Sequence, residues 1–302
     1  MKESKRLRKI LHVLVIYLFA AALLPSGCLN RDNGIILHNQ VDTVTAPSVP
    51  ASSGHPLVVH ITNILPKVNL PPRIREHIQN DLAENARFLR ELLDIFDGDP
   101  KLWILVNKNK PLDARYEPGD LIDLTSGSGM VSSRMLRRAA YEAAEEIRIA
   151  AESEGLTLTV ISAYRSFEHQ GRTYTYWVTQ EGQAEADRIS ARPGHSQHQL
   201  GFTVDFNMLD NELALTPEGA WLVENASRFG WSLSYPDGYE NLTGYAWESW
   251  HHRYVGRQLA AFIDRYFDGI QHYALSFIDE FLAELLKSPS FSPIVLSIYG
   301  QS

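Results

Sequence analysis

Ser196-Gln-His-Gln-Leu-Gly-Phe-Thr-Val-Asp205, read with Glu248-Ser-Trp-His251, decides what kind of chain this is. The first stretch offers an imidazole, His198, and a carboxylate, Asp205, seven residues on. The second offers a carboxylate, Glu248, three residues before another imidazole, His251. Two His and one Asp suffice as protein ligands for catalytic zinc, which keeps its fourth position open for water. A spare Glu beside such a site is what hydrolysis needs, because the bound water must lose a proton and the leaving amine must gain one. The β-branched and aromatic run Gly201 to Phe206 predicts a strand, in which Asp205 shares a face with Thr203, opposite Val204 and Phe206.

Outward from these stretches, Ser190 to Gln199 reads as a loop through Pro193-Gly194. Thr157 to Ala163 reads as a central strand carrying Tyr164-Arg165-Ser166 at its end, and a helix follows from Phe167 to about Glu181. A helix capped by Ser132 or Ser133 precedes it and ends at Gly155. Thr216-Pro217 starts a helix to Phe229, and Trp231–Tyr235 and Tyr245–Tyr254 read as strands. Earlier, Pro72 to Phe96 has helical apolar spacing, Trp103–Val106 reads as a short buried strand, and 111–132 as an extended loop. Residues 256 to about 287 are helical and amphipathic.

Of 302 residues, 44% are hydrophobic and 21% charged, enough apolar content for a globular core. The net charge is -8, with no basic block beyond the extreme N-terminus, which argues against a nucleic-acid partner. Lys2, Lys5, Arg6, Arg8 and Lys9 form that block, and Ile10 to Leu24 is apolar but for His12 and Tyr17. The run is shorter than the ~20 residues of a spanning helix and suits a signal-peptide core. Pro25-Ser26-Gly27-Cys28 follows, and Cys28 is the only cysteine, so no intramolecular disulfide forms. A lone Cys after such a core resembles a bacterial lipobox, although Pro25 stands where Leu is usual. Lipidation of Cys28 is the expectation; ordinary cleavage or an uncleaved anchor are the alternatives. All three put the bulk of the chain outside the cytoplasmic membrane. Leu29 to about Pro56 is rich in Ser, Thr, Pro, Asn and Asp and reads as a flexible tether.

Ser162-Ala-Tyr-Arg165-Ser166 with Gln170, then Arg192-Pro-Gly194 with Ser196, His198, Gln199, Gly201 and Asp205, then Glu248, Trp250-His251 and Arg253-Tyr-Val-Gly256 together resemble the VanY-type D-alanyl-D-alanine carboxypeptidases. These are zinc peptidases of the group that shares a fold with lysostaphin and the hedgehog signalling domain. The likeness runs over roughly 100 to 258, in three blocks that keep family order and spacing. It implies that His198, Asp205 and His251 are the zinc ligands. It implies that Glu248 takes a proton from the zinc-bound water and passes it to the departing amino group, zinc having lowered the pKa of that water from about 15.7 towards about 7. Arg165 would stabilise the charge that develops on the carbonyl oxygen or contact substrate, with pairing to a carboxylate in the fold as its alternative. Ser196 and Gln170 would hydrogen-bond substrate, with loop bracing as their alternative. Trp250 reads as packing that fixes His251. His195 and His252 are not ligands in the family pattern, and His252 points away from His251 in a strand. The chain has Gln197, Thr203 and Ser249 where the family often has Glu, Ala and Pro.

The expected fold is α+β, a small, mainly antiparallel zinc-binding sheet flanked by helices. The expected organisation is a signal peptide with a lipobox-like end over 1–28, a tether over 29–56, a helical flank over 57–99, the zinc carboxypeptidase domain over 100–258, and a C-terminal helical extension and tail over 259–302. The expected function is hydrolysis of the terminal D-alanine of peptidoglycan stem peptides outside the membrane, with Zn2+ as cofactor and no obligate protein partner. An L,D-carboxypeptidase acting on tetrapeptide stems is the nearest alternative, and an endopeptidase would need a groove open at both ends. A zinc-containing cell-wall-binding lipoprotein without catalysis is the alternative of another class, against which Glu248 and Arg165 argue. A lipoprotein scaffold working through the helices at 72–96 and 256–287 has no motif behind it.

Overall fold

The computed structural model describes residues 55–124 and 134–287. The signal segment, Cys28, nearly all of the tether, the Ser132/Ser133 cap and the tail past 287 lie outside them. Among the described residues no helix is long and apolar enough to cross a membrane.

The centre is a four-stranded antiparallel sheet of β3 (Val160–Ser162), β4 (Thr203–Phe206), β5 (Trp231–Leu233) and β6 (His251–Tyr254), in the order β3-β4-β6-β5. A separate antiparallel pair joins β1 (Leu121–Asp123) to β2 (Met135–Arg137). In the register, Val204 pairs with His252, while Thr203 pairs with Arg253 and Asp205 with His251. Alternation therefore sorts the sheet into two faces. Val204, Phe206, Trp231 and His252 face one way. There they meet α4 (Arg138–Ser153), whose Ala140, Ala143, Ala144, Ile147 and Ala151 are buried in the same core, and Trp231 Nε1 donates to Ala143 O at 3.4 Å. Small alanines on that stripe let the helix approach the aromatic face closely. Thr203, Asp205, His251 and Arg253 face the other way and carry the polar chemistry.

Around the sheet stand α5 (Phe167–Glu181), α6 (Gln183–Ile189), α7 (Pro217–Asn225) and the single turn α8 (Glu240–Thr243). Among the described residues the remaining α-helices are α1 (Pro56–Ile64), α2 (Pro72–Glu84), α3 (Arg87–Phe96), α9 (Arg257–Tyr266) and α10 (Gln271–Lys287). These five share one apolar core, with Phe88 against Phe262, Tyr266, Phe267 and Phe277. The two flanks, far apart in sequence, are one helical unit. Leu102 packs against both this core and the sheet core.

Several local expectations change. The segment 72–96 is two helices, because Ala86 adopts a left-handed conformation (φ 52) while Asn85 Oδ1 and Asp81 Oδ1 accept from Arg87 N and Phe88 N and start a new helix. Trp103 ends a 3-10 turn, Pro100–Trp103, capped by Asp99, instead of opening a strand. β3 is an edge strand, short and interrupted by a register shift between Val160 and Ser162. The loop over 111–132 contains β1, and β2 precedes α4. Only the last four residues of Tyr245–Tyr254 are strand. The C-terminal helix breaks where Asp268 (φ 55) and Gly269 (φ 75) turn left-handed.

Candidate active site

His198 sits in the 3-10 turn Gln197–Leu200, capped by Ser196 Oγ, which accepts from His198 N at 3.3 Å. Gly201 closes that turn at φ 73, its N–H donating to His198 O at 3.1 Å, and hands the chain to β4. Asp205 and His251 are direct partners across β4 and β6. These placements bring the ligand atoms of His198, Asp205 and His251 within 4.8 Å of one another, all buried. His198 Nδ1 lies 2.7 Å from Ala163 O, so the proton belongs there and the Nε2 lone pair faces Asp205 Oδ2 at 3.3 Å. His251 turns Nδ1 inward, 3.4 Å from Asp205 Oδ1 and 3.0 Å from Glu248 Oε2.

Burial lowers both imidazoles, His251 to about 4, so both are neutral and have lone pairs to give. Burial raises the Asp205 carboxyl, but His198, His251 and Arg165 outweigh it and hold the group well below the usual range. Asp205 Oδ1 is buried without a hydrogen-bond partner. An orphaned carboxylate oxygen beside two neutral imidazoles is a donor set that fits a divalent cation, and two nitrogens with one oxygen suit zinc. Burial and the Asp205 charge push Glu248 up to about 8.

Arg165 follows β3. Its Nη2 donates to Ser162 Oγ at 3.0 Å and lies 3.9 Å from Asp205 Oδ2, and its Nη1 donates to Gln170 Oε1 at 2.9 Å. Gln170 is buried, and its Nε2 donates to Ala191 O at 2.6 Å. Both ends of its amide are thus taken by protein groups. Gln170 thus braces Arg165, and it also lines the cleft. Ser196 caps the His198 turn and lines the cleft.

The cleft, about 320 Å³, is lined by Arg165, Ser196, His198, Asp205, Glu248 and His251 on its polar side. Leu209, Trp177, Trp247, Trp250, Tyr235 and Tyr245 supply an apolar wall. His252 lies on the opposite sheet face against Phe206, and His195 Nδ1 lies 2.8 Å from Asn107 O, so neither joins the trio. Gln197 bonds Gln271, the first residue of α10, at 3.2 Å, tying the helical unit to the turn that bears His198.

The family model for VanY, D-alanyl-D-alanine carboxypeptidase, matches residues 133–257. A D-alanyl-D-alanine carboxypeptidase of Enterococcus faecalis is 31% identical over 213 residues, which cover 66% of this chain and 77% of that protein. The chain belongs to the VanY carboxypeptidase family. YodJ of Bacillus subtilis is 33% identical over 180 residues, 57% of this chain and 66% of that protein. Among solved structures, the LD-carboxypeptidase LdcB aligns with a TM-score of 0.52 and 32% identity, over 56% of this chain and 83% of LdcB. The stretch matched by the VanY model includes Arg165, His198, Asp205, Glu248 and His251, and ends where α9 begins. The helical unit built on α1–α3, α9 and α10 lies almost wholly outside that stretch.

Sequence reasoning missed the apolar wall and the loop contacts behind it. Trp177, Leu209, Tyr235, Tyr245 and Trp247 carry no motif, and only the fold collects them on one cleft. Tyr235 was visible solely as the end of a strand, yet its ring packs 4.7 Å from that of His251.

Proposed function

We propose that this chain is a zinc-dependent D,D-carboxypeptidase that removes the terminal D-alanine of peptidoglycan stem peptides. The observation that carries the reading is the buried trio His198, Asp205 and His251, with Glu248 3.0 Å from His251 on the same cleft. A zinc ion on those three side chains would supply Lewis-acid activation of the attacking water and of the scissile carbonyl. The chain's own residues do the rest. As the water oxygen bonds to the carbonyl carbon, Glu248, whose ionised form a cation on the trio would favour, takes its proton. The carbonyl π electrons move onto oxygen, and the Arg165 guanidinium, held by Ser162 and Gln170, stabilises that charge. When the tetrahedral carbon collapses, the C–N bond breaks and Glu248 returns the proton to the leaving amine. The products are free D-alanine and a peptide one residue shorter.

The Enterococcus relative supports the D,D assignment, and the likeness to LdcB favours an L,D cut as the second reading. The basic head and the apolar run to Leu24 support export, with Cys28 as a lipid anchor on the side of the membrane where the wall lies. The test is mass spectrometry of muropeptide pentapeptide and tetrapeptide after incubation with the zinc-loaded full chain, beside Glu248→Gln. Loss of one alanine from the pentapeptide, slowed by about 100- to 10,000-fold in the variant, is the expected result. Loss from the tetrapeptide alone replaces the reading with the L,D one. Cleavage of neither, with zinc bound, overturns the carboxypeptidase reading in favour of the wall-binding one.

A further inference from the structure

Glu248 leaves a segment with no regular structure, between α8 and β6, where nothing in the backbone pattern fixes its direction. Its two flanking peptide units are nevertheless held at both ends. In the unit before Glu248, Trp247 O accepts from Asn211 Nδ2 at 3.0 Å and Glu248 N donates to Tyr235 O at 3.0 Å. In the unit after it, Glu248 O accepts from His251 N at 3.3 Å and Ser249 N donates to Asn211 Oδ1 at 2.9 Å. One side-chain amide, Asn211, thus supplies one anchor on each side of the Glu248 Cα.

Asn211 is itself fixed. It opens the 3-10 turn Asn211–Leu215, which is capped by Asp210 Oδ1 accepting from Glu212 N at 2.8 Å. Leu213 of that turn is fully buried in the sheet core, and Thr216 Oγ1 donates to Leu213 O at 2.7 Å. The route runs from the core through Leu213 to Asn211, and from Asn211 to both sides of Glu248. Without the amide, each peptide unit keeps a single anchor and can swivel about it, carrying the carboxylate away from His251.

We propose that Asn211 is a positioning residue for Glu248, clamping the backbone on both sides of it so that the carboxylate is aimed at the reacting water. The inference rests on the hydrolytic reading above. Ser249 stands where the family often has proline, and the Ser249 N–H that a proline would lack is the one that Asn211 Oδ1 accepts.

The experiment is steady-state kinetics of the zinc-loaded full chain on the pentapeptide for wild type, Asn211→Ala, Asn211→Asp, Glu248→Gln and the double variant Asn211→Ala/Glu248→Gln. Zinc content and amide exchange at Ser249 are read in parallel. Misaiming a proton-transfer group by about 1 Å can cost about a hundredfold, so Asn211→Ala is expected to lower kcat by about 10- to 100-fold, with KM within about threefold and zinc retained. Asn211→Asp keeps the acceptor for Ser249 N–H and should recover part of the loss. In the Glu248→Gln background, Asn211→Ala should change the residual rate by less than about twofold, because the group it aims is gone. The Ser249 amide should lose protection in Asn211→Ala. A wild-type kcat in Asn211→Ala overturns the inference while leaving the hydrolytic reading intact. So does an equal fold-loss in both backgrounds, which would mean that Asn211 acts through the general fold. A wild type that releases no alanine from either the pentapeptide or the tetrapeptide overturns the hydrolytic reading and the inference with it.

Discussion

Replacing Gln170 by leucine separates bracing of Arg165 from contact with substrate. Leucine nearly keeps the side-chain volume and removes only the amide. Three bonds go, the charge-assisted one from Arg165 Nη1 at 2.9 Å, the one to Ala191 O at 2.6 Å and a long one to Ser190 Oγ at 3.4 Å. A hydrogen bond to a charged group contributes about 1.5–3 kcal/mol and a neutral one about 1 kcal/mol. Arg165 keeps 19% side-chain exposure on the cleft, so water partly replaces Gln170 and the lower end applies. The expected loss is about 2–3 kcal/mol, or a Tm lower by about 5–10 °C for a chain of this size. The freed guanidinium edge should also cost about tenfold in kcat with little change in KM, since Arg165 is needed where charge develops. Thermal unfolding and kinetics on the pentapeptide read both numbers. An unchanged Tm together with an unchanged kcat would refute the brace. A rise in KM alone would return Gln170 to the substrate-binding role that its position in the motif suggested.

Chelator treatment should abolish turnover and added zinc should restore it, while Asp205→Ala should hold well under one zinc per chain by metal analysis; turnover untouched by either would remove the metal from the mechanism. Gly201→Ala should cost at least about 2 kcal/mol and lower zinc content, because a left-handed alanine costs about 1–2 kcal/mol by itself and its Cβ would stand 2.9 Å from Arg137 Cγ and 3.1 Å from Leu121 Cδ2. Wild-type stability and zinc in that variant would show that the His198 turn tolerates a shift. Asp187, forked by Arg192 at 2.8 and 2.9 Å, is lowered to about 2, first by that hydrogen bond. A carboxyl that titrates lower when folded than its unfolded value of about 3.9 stabilises the fold above that value and loses the contribution as pH falls towards 2. The pair is partly exposed, so Asp187→Asn should cost no more than about 1 kcal/mol at pH 7, and the gap to wild type should close between about pH 4 and 2 in denaturant titrations. A gap that does not vary with pH would locate the effect elsewhere.

The trio was legible in the sequence because strand alternation and short loops are local rules. Thr203 to Phe206 could only be a strand with Asp205 on the face away from Val204, and the structure keeps that register. Family spacing then singled out His251 over His252, and the sheet turns His252 into the aromatic core. Helix boundaries were less legible where one residue enters left-handed space. Ala86 announces no break, since alanine favours helix, and the break there exists because Asp81 and Asn85 can cap the next helix; Asp268-Gly269, by contrast, is a turn dipeptide that the amphipathic spacing of 256–287 masks. Trp103 to Val106 has strand composition, yet Asp99 and Pro100 start a 3-10 turn there, and among the described residues no strand pairs with it.

The order of residues by itself placed His198, Asp205, Glu248 and His251 in one spaced pattern and carried the likeness to the VanY carboxypeptidases, because strand alternation and motif spacing are both local. Only the tertiary structure decided which groups those donors lean on. Gln170 meets Arg165 because α5 folds back beside the end of β3, and Asn211 brackets Glu248 from 37 residues away because Leu213 is sunk in the sheet core. The helices within 56–96 and 257–287 joined for a related reason. Each helix has an apolar stripe it cannot bury alone, and the partner that covers it lies some 170 residues off along the chain. Burial is settled by what the whole chain can bring together, and no local pattern records it.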